Sequence, residues 1–142
     1  MKGVIISAGL GTRLRPITNI ISKGLLPVYN KPMIYYAVDT LIKGGVNEIL
    51  LVVNEKDVKQ YKKIFKDKKK FNIKISYAIQ KEQKGTAHAI SSAEDFANKE
   101  NIIVIFADNI IENEPDFKNF NEGARIFLKE VPDPERFGIA EI

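Results

Sequence analysis

Val4-Ile5-Ile6-Ser7-Ala8-Gly9-Leu10-Gly11-Thr12-Arg13-Leu14-Arg15-Pro16 is a short β-branched run that breaks at once into a glycine-rich loop carrying Arg13 and Arg15. An apolar run with no polar alternation suits a strand covered on both faces. Gly9 and Gly11 let the backbone turn tightly and approach an anion, with N–H groups aimed at it. The arginines add charge, and a guanidinium grips phosphate oxygens with paired hydrogen bonds. A dinucleotide fingerprint would want a third glycine where Leu14 stands, and a P-loop would want Gly-Lys-Ser/Thr. Neither is present. The loop is either a phosphate cradle of another kind or a structural strand-to-helix turn with exposed arginines.

Outward from this loop the periodicity alternates. Residues 33–43 carry Ile34, Val38, Leu41 and Ile42 at helical spacing, and Gly44-Gly45 ends them. Residues 48–53 form a continuous apolar run, a second strand covered on both faces. Residues 55–66 read as an amphipathic helix carrying Val58, Tyr61, Ile64 and Phe65. Residues 73–79 alternate as a strand, and residues 86–96 read as one helix. Residues 102–106 are the most apolar strand and end at Ala107-Asp108-Asn109. This order predicts an α/β fold: a Rossmann-like, mostly parallel sheet with helices on both faces. Such sheets bind ligands beyond the carboxyl ends of their strands, at the topological switch point. The loop after the first strand and Asp108 after the fourth both fall at that edge. Beyond Asp108 the pattern changes. Residues 115–122 leave room for one short helical turn. Residues 124–131 and 137–142 read as two strands joined through Pro132-Asp133-Pro134.

The 142 residues fit one domain, and an apolar content of 44% is ordinary for a folded soluble protein. No apolar run is long enough to span a bilayer, and no basic-then-apolar leader follows Met1. Cysteine is absent, which excludes disulfides and thiolate metal sites and fits a cytoplasmic location. The net charge of +4 owes much to the lysine-rich run between Lys62 and Lys70. Those lysines surround Ile64 and Phe65 in a helical pattern. They do not interleave with stacking aromatics, so they read as a solvated helix face and not as a nucleic-acid surface.

Five further positions bear on the chemistry. Lys23 lies between the apolar pairs Ile20-Ile21 and Leu25-Leu26, and alone it reads as a surface lysine. Asp108 ends a buried strand. It is either placed to hold Mg²⁺ against a triphosphate or simply starts a turn. Gln80 ends a strand at the same edge, where an amide could read the edge of a base, and Gly85 could let a base lie close to the chain. His88 falls in the first turn of the next helix and reads as structural, or as lining the pocket without an acid–base role.

Together these pieces resemble the sugar nucleotidyltransferases. The run from Ala8 to Pro16 resembles the family's signature loop. Lys23 with Leu25-Leu26-Pro27-Val28, then Lys31-Pro32-Met33-Ile34-Tyr35-Tyr36, resembles the stretch that follows it in the glucose-1-phosphate thymidylyltransferases. Asp108-Asn109-Ile110 and Pro132-Asp133-Pro134-Glu135-Arg136-Phe137-Gly138 resemble two further motifs of that subgroup. The resemblance spans the whole chain. It implies the nucleotide-diphospho-sugar transferase fold and a transfer that makes dTDP-glucose and pyrophosphate from dTTP and glucose 1-phosphate with Mg²⁺. Carried over by position, Gly11, Thr12 and Arg13 would hold the triphosphate, and Lys23 would bridge the two phosphates. Asp108 would bind Mg²⁺, Ala8, Gly9, Gln80 and Gly85 would seat the nucleoside, and Gly138 would touch the sugar.

The sequence also departs from the subgroup. Gly24 stands where Gln is usual, Ala8 replaces a common Gly, and Thr86-Ala87-His88 replaces Leu-Ala-Gln. All three changes are on the nucleotide side, so UTP stands beside dTTP as an expected substrate. Family enzymes continue for about another domain's length, and residues 1–142 read as the nucleotide-binding domain, truncated relative to them. That predicts a sheet edge left open near Ile142 and association into a homo-oligomer. A nucleotide-binding remnant without turnover is the competing reading.

Overall fold

The computed structural model describes residues 1–66, 71–113, 116–117, 120 and 122–140. Strand β1 (Lys2–Ile6) is central to a four-stranded sheet. On one side it pairs in parallel with β4 (Glu48–Val53), which pairs with β5 (Lys74–Ile79). On the other side it pairs in parallel with β6 (Ile102–Phe106). A two-stranded ribbon, β2 (Pro27–Val28) with β3 (Lys31–Pro32), leads into α1 (Met33–Lys43). The chain runs from β1 out to β5 and then returns to the far side of β1. The switch point therefore lies between β1 and β6.

The apolar runs sort by parity, because successive strand side chains face opposite ways. Ile5, Leu51, Val53 and Ile105 pack with Ile34, Val38 and Leu41 of α1 and with Tyr61 of α2 (Val58–Ile64). Val4, Ile6, Leu50 and Val52 pack with Ala89 and Ala93, which lie in and just after α3 (Thr86–Ser91). Helices cover both faces, as the unbroken apolar runs predict, and β4 is buried from Ile49 to Val53. Among the described residues no helix is long and apolar enough to cross a membrane.

Three expectations need correction. Residues 86–96 are not one helix: α3 stops at Ser91, and α4 (Glu94–Ala97) follows after a turn. The Ser91 and Ser92 hydroxyls both donate to the His88 carbonyl, at 2.9 and 3.4 Å, and so compete for an acceptor that helix continuation needs. The helix expected from residue 55 begins instead with a 3-10 turn (Glu55–Asp57), and α2 ends at Ile64. Residues 124–131 and 137–140 form no strand and are mostly exposed. An extended run needs a strand beside it for its backbone groups, and no strand pairs with these among the described residues. The turn expected at residues 115–122 and the last two residues, Glu141 and Ile142, lie partly or wholly outside the described residues.

Candidate functional site

Hydrogen bonds carry the sheet one residue past its strands at the carboxyl edge. Ser7 N–H donates to Val52 C=O (2.8 Å), Gln80 N–H to Val53 C=O (2.9 Å) and Ala107 N–H to Ile6 C=O (3.0 Å). The roots of the loops after β1, β5 and β6 are thus held in register. A cleft of about 220 Å³ opens above them, at the switch point. Ser7, Gly9, Lys23, Gln80, Gly85 and Asp108 line it.

Lys23 and Asp108 are 85 residues apart in sequence, and Nζ lies 2.5 Å from Oδ2 in the cleft. Each side chain is more than a third exposed (36% and 41%), so solvent screens the pair and it is worth about 1 kcal/mol at most. It can open cheaply for a ligand that offers Lys23 an anion and Asp108 a cation. Asp108 is a single hard oxygen donor, and no cluster of three His, Cys, Asp or Glu occurs among the described residues. That donor set fits Mg²⁺, which takes one or two carboxylates and completes its shell from phosphate oxygens and water. It does not fit a resident metal held by protein alone.

The loop after β1 is exposed at Gly9, Leu10 and from Thr12 to Ile17. Its conformation is fixed from below. Gly11 adopts φ 61°, a left-handed value that a Cβ disfavours. Its carbonyl accepts from the Oγ1 of buried Thr18 at 2.7 Å. Thr12 and Arg13 stand on the 3-10 turn Thr12–Leu14, outside the cleft lining. Gly138 is exposed and also lines no part of the cleft.

Beneath Lys23 lies a hydroxyl cluster that the sequence did not disclose. The Tyr61 hydroxyl meets Ser7 Oγ at 2.5 Å and Ser22 Oγ at 2.8 Å, with Tyr61 fully buried. Burial pushes the Tyr61 phenol above its ordinary pKa, against its bonds to Ser22 and Ser7, so it stays neutral. The cluster ties the end of β1 to the turn Lys23–Leu25 that presents the lysine. It also accounts for Gly24. A Cβ there would lie 2.6 Å from Ser7 Oγ and 2.7 Å from Tyr61 Oη, so a side chain at this position has no room.

The opposite wall is built from amides. Gln83 donates through Nε2 to the Ala8 carbonyl (3.0 Å) and to Asn54 Oδ1 (2.9 Å), and Asn54 donates to Asp57 Oδ2 (3.1 Å). Ala8 is fully buried, so it contributes backbone alone. Gln80 is 5% exposed, and its Nε2 lies 3.2 Å from His88 Nδ1. Gln83 had no sequence signal beyond a polar loop after a strand. Tyr61 was read, correctly, as apolar packing, and the reach of its hydroxyl cannot be seen in a periodicity.

Comparison with known proteins agrees with this fold. The nucleotidyl transferase family matches residues 2–142. A glucose-1-phosphate thymidylyltransferase of Neisseria meningitidis is 40% identical over 99% of this chain and 51% of its own length. The chain spans about half the length of the first curated relatives it matches. Among solved structures, a Bacillus anthracis protein described as a glucose-1-phosphate thymidylyltransferase, in complex with a sucrose, superposes with a TM-score of 0.94. It is 36% identical, over 100% of this chain and 60% of that one. A UDP-glucose pyrophosphorylase complexed with UDP-glucose superposes with a TM-score of 0.66, at 31% identity over 77% of this chain and 46% of that one. With a family model matched over nearly the whole chain and relatives at this level of identity, the chain belongs to the nucleotidyl transferase family.

Proposed function

We propose that this chain takes part in making dTDP-glucose and pyrophosphate from dTTP and glucose 1-phosphate. The observation that carries the reading is the meeting of Lys23 and Asp108 in the switch-point cleft, 2.5 Å apart. The sugar-phosphate oxygen attacks the α-phosphorus of the triphosphate, the new P–O bond forms, and the bond to the β-phosphate breaks as pyrophosphate leaves. No protein nucleophile is needed. Catalysis is then positioning and charge neutralisation. Lys23 draws the two negative phosphates together. Gly9 leaves room for phosphate oxygens near the backbone, Gly11 holds the left-handed turn that presents the loop's N–H groups, and Thr12 and Arg13 take the leaving pyrophosphate. Asp108 holds Mg²⁺, which supplies charge neutralisation on the phosphates. Ala8, Gln80 and Gly85 seat the nucleoside, and Gly138 reaches the sugar.

The similarity to a UDP-glucose pyrophosphorylase favours UTP as the second nucleotide to test. Purified chain at high concentration, given Mg²⁺, glucose 1-phosphate and dTTP or UTP, is expected to release pyrophosphate. Lys23→Ala is expected to lower the rate by about 10²–10³, the usual loss for one electrostatic stabiliser. Binding of dTTP with no pyrophosphate release would replace this reading with that of a nucleotide-binding remnant.

A further inference from the structure

We infer that His88 fixes the orientation of the Gln80 amide and thereby makes the cleft prefer a pyrimidine that offers N3–H, as thymine and uracil do, over cytosine. The inference rests on the reading that Gln80 faces the base. It starts from one contact: Gln80 Nε2 lies 3.2 Å from His88 Nδ1. An amide nitrogen can only donate, so Nδ1 is the acceptor and the imidazole proton sits on Nε2.

The consequence falls on the other end of the amide. Gln80 is 5% exposed, and no buried side-chain nitrogen or oxygen among the described residues lacks a partner. Its Oε1 has no partner among the described residues, so Oε1 is the atom that reaches the surface, and Gln80 lines the cleft. The cleft therefore meets the base with an acceptor. Thymine and uracil present a donor at N3, whereas cytosine presents a lone pair there, and two acceptors facing each other leave both unpaired. His88 is a positioning residue, acting on the base only through Gln80.

The test measures dissociation constants of dTTP and dCTP for the whole purified chain and takes their ratio, which general loosening of the fold does not move. The wild type is expected to bind dTTP about tenfold more tightly, the usual worth of one desolvated hydrogen bond. His88→Leu removes the acceptor and lets the amide turn over, so the ratio should fall to about one. His88→Lys offers only donors, draws Oε1 inward and turns Nε2 to the cleft, so dCTP should become the tighter ligand; it decides the matter if the leucine variant does not fold. An unchanged ratio in the folded variants, with the preference lost in Gln80→Leu, overturns the role of His88 and leaves the base seat standing. A preference that survives Gln80→Leu, or a wild type with no preference, overturns the base seat and this inference with it.

Discussion

Two runs of this chain are similarly apolar and end differently. Residues 48–53 lie between two parallel neighbours and are buried from Ile49 onward. Residues 124–131 contain Ile126, Phe127 and Leu128, which stand 69%, 61% and 56% exposed in a segment without a strand. The local signal is alike, and the difference is whether another strand edge meets the run. A β-strand is a pairing, because each extended residue exposes an N–H and a C=O that need partners. The same contrast orders the functional residues. Lys23, Gln80 and Asp108 stand beside the roots of loops pinned by the sheet and line one cleft, whereas Gly138 lies on the unpaired segment and lines none of it.

The comparison is sharpest with one substitution made in both regions. Leu51→Ala removes a fully buried side chain, and we expect it to cost about 2–5 kcal/mol in urea unfolding. Leu128→Ala should change stability by no more than about 0.5 kcal/mol. Comparable losses would show that residues 124–131 are packed after all. At the site, Gly24→Ala places a methyl group against the Ser7 and Tyr61 hydroxyls. It should destabilise by about 1–3 kcal/mol, the typical cost of overpacking, and adding Tyr61→Phe should recover part of that loss. Equal stability of wild type and Gly24→Ala would mean that the hydroxyl cluster does not set the size of residue 24.

The smallest effect concerns the ends of β1 and β6. The Glu100 carboxylate takes the Lys2 ammonium at 2.9 Å and the chain's amino terminus at 3.3 Å. The bond to Lys2 first, then that to the amino terminus, holds its pKa below the usual carboxylate range. A group depressed in the folded state adds stability above its unfolded pKa and loses it as pH falls through the folded value. Glu100→Gln should therefore melt slightly below wild type at pH 7, and the two curves should converge in acid, as the pH falls through the depressed folded-state value. A difference that persists in acid would assign the effect to packing.

Much of the scaffold was legible in the sequence. Residues 33–43, 48–53 and 102–106 were bounded correctly, because β-branched runs and 3.6-residue spacing report burial directly. The carboxyl-edge position of Asp108 followed from strand order alone. Three things were not legible, each because it depends on where individual side-chain atoms meet in space. The break at Ser91-Ser92 comes from hydroxyls turning onto the His88 carbonyl. Gln83 owes its place to the Ala8 and Asn54 groups it bridges. Gly24, met as a departure from a pattern, proved to be the space that Ser7 and Tyr61 occupy.

On the proposed function, the cleft between Lys23 and Asp108 receives a nucleoside triphosphate. The most direct measurement is the melting temperature of the purified chain with Mg²⁺ and dTTP or UTP, compared with Lys23→Ala under the same conditions. Saturation at about 100 times the dissociation constant should stabilise the wild type by about 2.7 kcal/mol, and the variant should lose most of that gain at the same concentration. A melting temperature that no nucleoside triphosphate moves would contradict the account.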